Sequence, residues 1–533
     1  MNTRLSPLVL LPVPLMAAHT EGADEGNRRL NIVYIMTDDH SYQTISAYGG
    51  ILARYAPTPN LDRLAAKGTL FERAFVENSL SSPSRACLMT GLYSHQNGQR
   101  YLFGNIDSTK TFISEILQDN GYQTVMIGKW HLNCTPKGFD YYQVLNGQGE
   151  YYHPGFKSKE SAGQYVRKEG YATRLITDYA IDFLEHRKKD APFCLFVHHK
   201  APHRNWQPEP RYLDLFNDVD FPYPETFDDN YDTRTPPAHE QEMQIDRHMK
   251  LVYDLKLQQL IDSIPFGQEP HAQEIQWILN RMTPEEREQW CHHYDRRYQD
   301  FISKERSSDE LKKWKYQAYL RDYLRCIRSV DDEVGRLIDY LEENGMMDNT
   351  VVVYASDQGF YMGEHGWFDK RFMYEESFRT PLIIYYPTGK EKGEKVKKGG
   401  QRNKELVQNI DFAPTILDIA GVEKPDYMSG RSIVPLLTGT TPKDWRKDIY
   451  YHYYDHPAEH QVWRHDGVRD KRYKLIHYYN EKNRAETYNE LYDLKADPNE
   501  LNNLYGHAKY KKVQRHLEKR LSDYRRELKI DEY

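Results

Sequence analysis

Cysteine is scarce: five residues, Cys87, Cys134, Cys194, Cys291 and Cys326, are scattered over 533. An odd set without metal-ligand spacing argues against a disulfide framework and leaves these side chains as small buried hydrophobes. Long apolar runs are also missing, since none reaches the roughly 20 residues a membrane helix needs. A basic excess is absent too: 72 Lys and Arg stand against 79 Asp and Glu, for a net charge of −7. That is not the footprint of a nucleic-acid binder, and attraction for an anionic partner has to be local to a site. Internal repeats and low-complexity tracts are lacking as well.

Tyrosine, by contrast, is abundant, at 43 residues. It packs as an apolar ring with a polar tip, so it suits both a half-buried core and a surface that stacks on sugar rings. The start of the chain carries Arg4, an apolar run from Leu8 to Ala18 and then small residues. Residues 1–22 thus resemble a secretory signal peptide, which implies a periplasmic or secreted protein. No cysteine follows the apolar run to take a lipid anchor.

From Leu30 onward, short apolar runs alternate with helical patterns. Strands are expected at Asn31 to Met36, Leu70 to Val76, Gln123 to Ile127, Phe193 to His198, Val351 to Tyr354 and Leu382 to Tyr386. Helices are expected at Thr58 to Gly68, Thr111 to Asn120 and Tyr171 to His186. The strongest carries Tyr316, Leu320, Leu324, Ile327, Val334, Leu337 and Leu341 at helical spacing. This alternation predicts an α/β fold with a large mixed, mostly parallel sheet sandwiched by helices, and functional residues at the carboxyl ends of the strands. We expect a main domain over 28–440, with a helical insertion at about 207–308, and a smaller C-terminal α+β subdomain over 441–533.

Several strand ends carry reactive side chains. Asp38 and Asp39 follow the first strand, and Asp357 and Gln358 follow the strand beginning at Val351. Three carboxylates and an amide oxygen brought to one point would make an oxygen cage for a hard cation. Lys129 and His131 follow Gln123 to Ile127, and His203 follows Phe193 to His198. Ser81 stands two residues before Pro83, at the start of a helix ending near Gly91, where free N–H groups favour an anion. Arg85 lies one turn on, within reach of Ser81. Each residue also has a plainer reading, as a cap, a turn residue or a structural histidine.

The run Ser81-Ser82-Pro83-Ser84-Arg85, extended by Ala86-Cys87-Leu88-Met89-Thr90-Gly91, resembles the signature of the formylglycine-dependent sulfatases of the alkaline phosphatase superfamily. The resemblance implies that Ser81 is oxidised to formylglycine by a maturation enzyme of the kind that serves serine-type sulfatases. It implies a Ca2+ site, with Mg2+ as the alternative, formed by Asp38, Asp39, Asp357, Gln358 and position 81. It implies that Arg85 holds the nucleophile or an oxyanion, and that Lys129 meets a sulfate oxygen. His131 is then the base for sulfate release, His203 acts on the leaving-group side, and Lys370 of Gly363-Glu364-His365-Gly366-Trp367-Phe368-Asp369-Lys370 contacts sulfate and leaving oxygen. The hydrated aldehyde places two hydroxyls on one carbon, one to attack sulfur and one to expel sulfate, which plain serine cannot do.

Ala201-Pro202-His203-Arg204-Asn205-Trp206 and the block around His460 look like the bacterial branch similar to N-acetylglucosamine-6-sulfatases. A sulfated glycan substrate follows, with His460, His465 and Arg469 expected on a loop that reads the sugar. Iduronate-2- and galactose-6-sulfatases share most of these motifs and remain alternatives. So does a phosphatase or phosphodiesterase with unmodified Ser81. A non-catalytic glycan binder on the same fold would be expected to have lost some of Arg85, Lys129, His131, His203 and Lys370, yet all are present.

Overall fold

The computed structural model describes residues 29–264, 269–387, 399–483 and 485–530, so the expected signal peptide lies outside the described residues. Asn31–Thr37, buried at every position, is an interior strand of a ten-stranded sheet. It pairs in parallel with Phe193–His198 on one side and Thr350–Ser356 on the other. All three read as near-continuous apolar runs because helices cover both faces and no side is left for water. Gln123–Gly128 and Tyr141–Leu145 extend the parallel array, and antiparallel Gly155–Ser158 and Val166–Arg167 complete that edge. On the other side come antiparallel Leu382–Tyr385, then Thr69–Phe71 and Gln401–Asn403. The sheet is mixed and parallel at its centre, as the alternation of elements predicts.

Successive side chains of a strand point to opposite faces, and here they feed two cores. Val33 and Ile35 pack in the cluster that includes residues of helices Ala172–His186 and Ser308–Glu343. Ile32, Tyr34 and Met36 pack in the one that includes residues of helices Ser81–Thr90 and Phe412–Ile419. Each fully buried Val, Leu or Ile contributes about 1.5–3 kcal/mol. Ser308–Glu343 is started by a reciprocal cap, with Ser307 accepting from the Glu310 amide and Glu310 from that of Ser307. It buries Tyr316, Leu320, Leu324, Ile327, Val334, Leu337 and Leu341 together, the stripe their spacing predicts.

Three readings change. The stretch from Leu70 to Val76 is two short strands, Thr69–Phe71 and Ala74–Phe75, the second paired with Val407–Gln408 outside the main sheet. Within 207–308 the longer helices are confined to the second half, at Glu274–Arg281 and Pro284–Ile302. The first half is mostly turns around the short helix Pro236–Glu240, in keeping with its prolines and paired charges. The third correction concerns His465–Asp470, expected as a loop, which is a strand between Asp448–Tyr453 and Tyr473–Tyr479. Its sequence, HDGVRD, has one β-branched residue and a central glycine, so propensity alone hides it. With Thr487–Asp493 these strands form a four-stranded antiparallel C-terminal sheet. Helix Lys511–Glu527 lays Leu517 and Leu521 against Tyr450, Val468, Leu475 and Leu491.

Candidate active site

Because the central strands are parallel, their carboxyl ends emerge along one edge, and side chains from four of them meet there. Asp38 and Asp39 follow Asn31–Thr37, and Asp357 and Gln358 follow Thr350–Ser356. The Asp39 amide donates to Asp357 Oδ1 at 3.0 Å, locking the two strand ends together. The long helix fixes this corner: Tyr323 Oη accepts from the Ser41 amide at 2.8 Å and donates to Asp39 O at 2.6 Å. Gly128, at φ 98°, brings Lys129 and His131 into the site. A Cβ there would lie 1.9 Å from His198 O, so only glycine permits the approach.

Ser81 opens helix Ser81–Thr90, which closes on Gly91 in the left-handed conformation at φ 65°. Its Oγ donates to Asp38 Oδ1 at 2.8 Å, and Lys129 Nζ donates to Asp38 Oδ2 and to Gln148 Oε1. Arg85 donates to Asp357 Oδ2 at 2.9 Å and to Lys129 O at 2.9 Å. Lys370 spans both Asp39 oxygens at 2.7 and 2.8 Å. His203 Nε2 stands 3.8 Å from Asp39 Oδ2, with Nδ1 2.6 Å from Arg204 O. His131 Nδ1 is 3.3 Å from Ser82 Oγ.

Electrostatics explain how so much charge coexists. Burial pushes Asp39 up to about 7, with Asp38 and Asp357 adding to the rise and Lys370 opposing it. Burial and Asp38 raise Asp357 to about 6 against Arg85. Burial opposes ionisation of Asp38 too, yet Lys129, with His203 and Arg85, holds it well below the carboxylate range. Burial, then Lys129, keeps His131 well below its ordinary value, and burial does the same for His203. Crowded carboxylates of this kind suit a divalent cation, and Asp38, Asp39 and His203 offer ligand atoms within 4.8 Å of one another. Gln358 donates to Asp39 through its amide nitrogen, while its Oε1 is buried without a partner, a spare oxygen at the same point. The residues present therefore fit a hard, oxygen-liganded ion.

A cavity of about 340 Å³ opens over this cluster, with His203 and Lys370 in its wall. Gln148, Tyr151, Lys200, Arg204, Trp277, Asp369, Arg371 and Glu459 also line it. Sequence reasoning passed over most of these. Gln148, in Asn146-Gly-Gln-Gly-Glu150 after Tyr141–Leu145, carried a glycine-rich strand-end signal, and Arg204 directly follows His203. Trp277, on the inserted helix Glu274–Arg281, had none, because its place depends on how the insertion folds back.

The ten residues Asp38, Asp39, Ser81, Arg85, Lys129, His131, His203, Asp357, Gln358 and Lys370 are thus brought together. The expected sugar-reading trio is not. His460 lies just behind the cavity wall, with Nε2 3.4 Å from Asp369 Oδ2 and 3.3 Å from an Arg204 nitrogen. His465 is fully buried on its strand, stacked near Tyr451 and Tyr453 with Nδ1 2.8 Å from Trp463 O. Arg469 pairs with Glu375 at 3.1 Å and lines a different cavity of about 750 Å³. A strand alternates its faces, so His465 and Arg469, four apart, both turn into packing rather than toward the cleft. Glu364 and His365 order their loop: Glu364 accepts from Gln43 and the Met362 amide, and His365 sits 2.9 Å from Asp229.

A helix-sandwiched sheet with an antiparallel C-terminal sheet, and a carboxylate cage beside a helix-start hydroxyl, defines a hydrolase of alkaline phosphatase-like fold. The family described as Sulfatase matches residues 30–422, and the one described as N-sulphoglucosamine sulphohydrolase, C-terminal, matches 363–527. The chain belongs to the sulfatase family, the sulfuric ester hydrolases. It is 44% identical to an N-acetylglucosamine-6-O-sulfatase of Bacteroides thetaiotaomicron, over 99% of this chain and 91% of that one. It is 26% identical to the Homo sapiens N-acetylglucosamine-6-sulfatase, over 84% of this chain and 71% of that one. Among solved structures, one in complex with its substrate D-glucosamine-2-N,6-O-disulfate superposes with a TM-score of 0.87 at 45% identity, covering 95% of this chain and 99% of that one. No helix among the described residues is long and apolar enough to cross a membrane.

Proposed function

We propose that this sulfatase removes the 6-O-sulfate from N-acetylglucosamine or glucosamine units of sulfated glycans, with formylglycine made from Ser81. The observation that carries this reading is the Ser81–Asp38–Lys129 arrangement. A buried hydroxyl at a helix start shares one carboxylate with an ammonium group, beneath a sugar-sized cavity. The nature of the relatives supports the sugar.

Formylglycine, once formed and hydrated by water, would supply two hydroxyls on one carbon, one to attack sulfur and one whose deprotonation would release sulfate. Asp38, Asp39, Asp357 and Gln358 would hold Ca2+, which supplies positive charge to the sulfate and the attacking oxygen. Lys129 and Lys370 donate to sulfate oxygens and offset the charge that builds there. Arg85 orients position 81 through Asp38, the carboxylate that Ser81 contacts and that Arg85 approaches to 3.9 Å. His131, kept neutral by burial and by Lys129, is free to accept a proton. His203 acts on the leaving oxygen, and the incoming anion favours the protonated ring that burial otherwise disfavours. Asp369 and Arg371, with His460 and Arg204 behind or beside them, orient the sugar. Residues 1–22 direct the protein to the periplasm or the exterior.

The test is co-expression with a maturation enzyme acting on serine-type sulfatases. The matured protein should be lighter than the unmodified chain by two hydrogens and should release sulfate from 6-O-sulfated N-acetylglucosamine, not from 2-O-sulfated uronic acids. An unmodified protein that cleaves aryl phosphate in preference to aryl sulfate would refute the reading.

A further inference from the structure

One cation in the cavity wall makes no ion pair among the described residues, although Asp38, Glu150 and Asp39 favour its charge from farther off. Lys200 follows Phe193–His198 by two residues, is 5% exposed and lines the cavity. Its Nζ donates to Gln148 O at 3.1 Å and stands 4.8 Å from the centre of the Tyr151 ring. Among the described residues no carboxylate oxygen lies within 4.0 Å of it. Its neighbours in the wall are engaged: Arg204 with Asp254 at 2.7 Å, Arg371 with Asp369 at 3.2 Å, Lys370 with Asp39 at 2.7 Å. Burial, then the charge of Lys129, lowers Lys200 to about 8 against the pull of Asp38, Glu150 and Asp39. A buried ammonium without a counter-ion in contact is costly to keep, and an anionic ligand beside it lowers that cost.

Gln148 gives the placement. Its side-chain oxygen accepts from Lys129 and its backbone oxygen from Lys200, so the two ammonium groups flank one residue. Lys129 donates to Asp38, which also accepts from Ser81, and Lys200 lines the open cavity, where the 6-O-sulfatase reading puts the sugar. We propose that Lys200 binds a second anionic substituent on the same hexosamine, an N-sulfate, and so sets a preference for doubly sulfated sugars. This rests on the 6-O-sulfatase reading above.

The experiment compares matured wild-type enzyme with Lys200→Met and Lys200→Arg on D-glucosamine-2-N,6-O-disulfate and on N-acetylglucosamine-6-sulfate. Lys200→Met should lower kcat/KM for the disulfate roughly tenfold more than for the monosulfate, through KM, as expected for a lost charge-assisted contact. Lys200→Arg should restore much of the difference. Thermal melts identify any general loss of fold. Equal losses on both sugars, or no loss on either, would overturn the assignment of Lys200. A matured wild-type enzyme inactive on both sugars would instead overturn the 6-O-sulfatase reading.

Discussion

Arg85 reaches Asp357 at 2.9 Å, joining the helix that begins at Ser81 to a strand end 272 residues away. The contact carries orientation as well as charge, because the same guanidinium also donates to Lys129 O at 2.9 Å. Arg85→Lys keeps the charge but cannot span both acceptors. We expect kcat on an aryl sulfate to fall by roughly 10²–10³, the loss typical of a misplaced oxyanion donor, with little change in Tm. Arg85→Ala leaves a buried carboxylate unpaired and should also cost about 3–5 kcal/mol of stability. Full turnover in Arg85→Lys would show that Arg85 serves packing alone.

Gln358 tests the metal reading. Its Nε2 donates to Asp39, a carboxyl group raised by burial to about 7, and its Oε1 is buried without a partner. If that oxygen is a ligand, Gln358→Leu should raise the calcium concentration for half-maximal thermal stabilisation by roughly tenfold or more. Chelation should lower Tm and sulfate release together, with calcium restoring both. A wild-type Tm indifferent to chelator and to added calcium would rule the ion out.

The sheet and the charged cluster were legible because both are written locally. A fully buried parallel strand is an apolar run, and topology delivers its next two residues to the same edge as those of its neighbours. Asp38, Lys129 and Asp357 are therefore legible in the sequence as strand-end residues of one edge. His465 and Arg469 are not. Their strand, with Gly467 at its centre, has its faces set by pairing with Tyr450 to Tyr453 and Leu475 to Tyr478, which no local pattern encodes. Trp277 and, one turn on, Arg281, which lines the same cavity, were hidden for a related reason: a surface helix becomes a cavity wall only through long-range docking.

Glu77, four residues before Ser81, gives stability a pH dependence. Burial pushes its carboxyl up to about 8, opposed by hydrogen bonds from the Ser94 hydroxyl at 2.6 Å and amide at 3.3 Å. The folded state thus holds one proton more than the unfolded chain between about 4.5 and 8. Stability from this group is complete below that window and is lost as pH rises through it. Glu77→Gln keeps the shape without the titration. Its Tm should fall less than that of wild type between pH 5 and pH 8, the difference between the two curves isolating Glu77 from other groups. Parallel Tm curves would refute the assignment.

Asp322, on the long helix, holds the inserted segment in place. It accepts from Arg297 at 2.8 and 2.9 Å, from Lys256 at 3.0 Å and from Arg325 at 2.9 Å, and it is fully buried. Burial opposes its ionisation, but Arg297 and Lys256 hold it far below the carboxylate range. Its contribution is therefore present above pH 3.8 and lost as pH falls through and below that value. Asp322→Asn leaves three cations around a neutral amide and should cost about 3–5 kcal/mol. Because Arg297 lies on Pro284–Ile302, beside the helix that carries Trp277 and Arg281, the damage should centre on the cavity wall. We expect faster proteolytic nicking within 207–308 and a raised KM for the sulfated sugar. Turnover of a small aryl sulfate, which needs only the Ser81 corner, should change less. A uniform loss across both substrates, with no new cleavage in the insertion, would show that Asp322 supports the whole fold and not this wall.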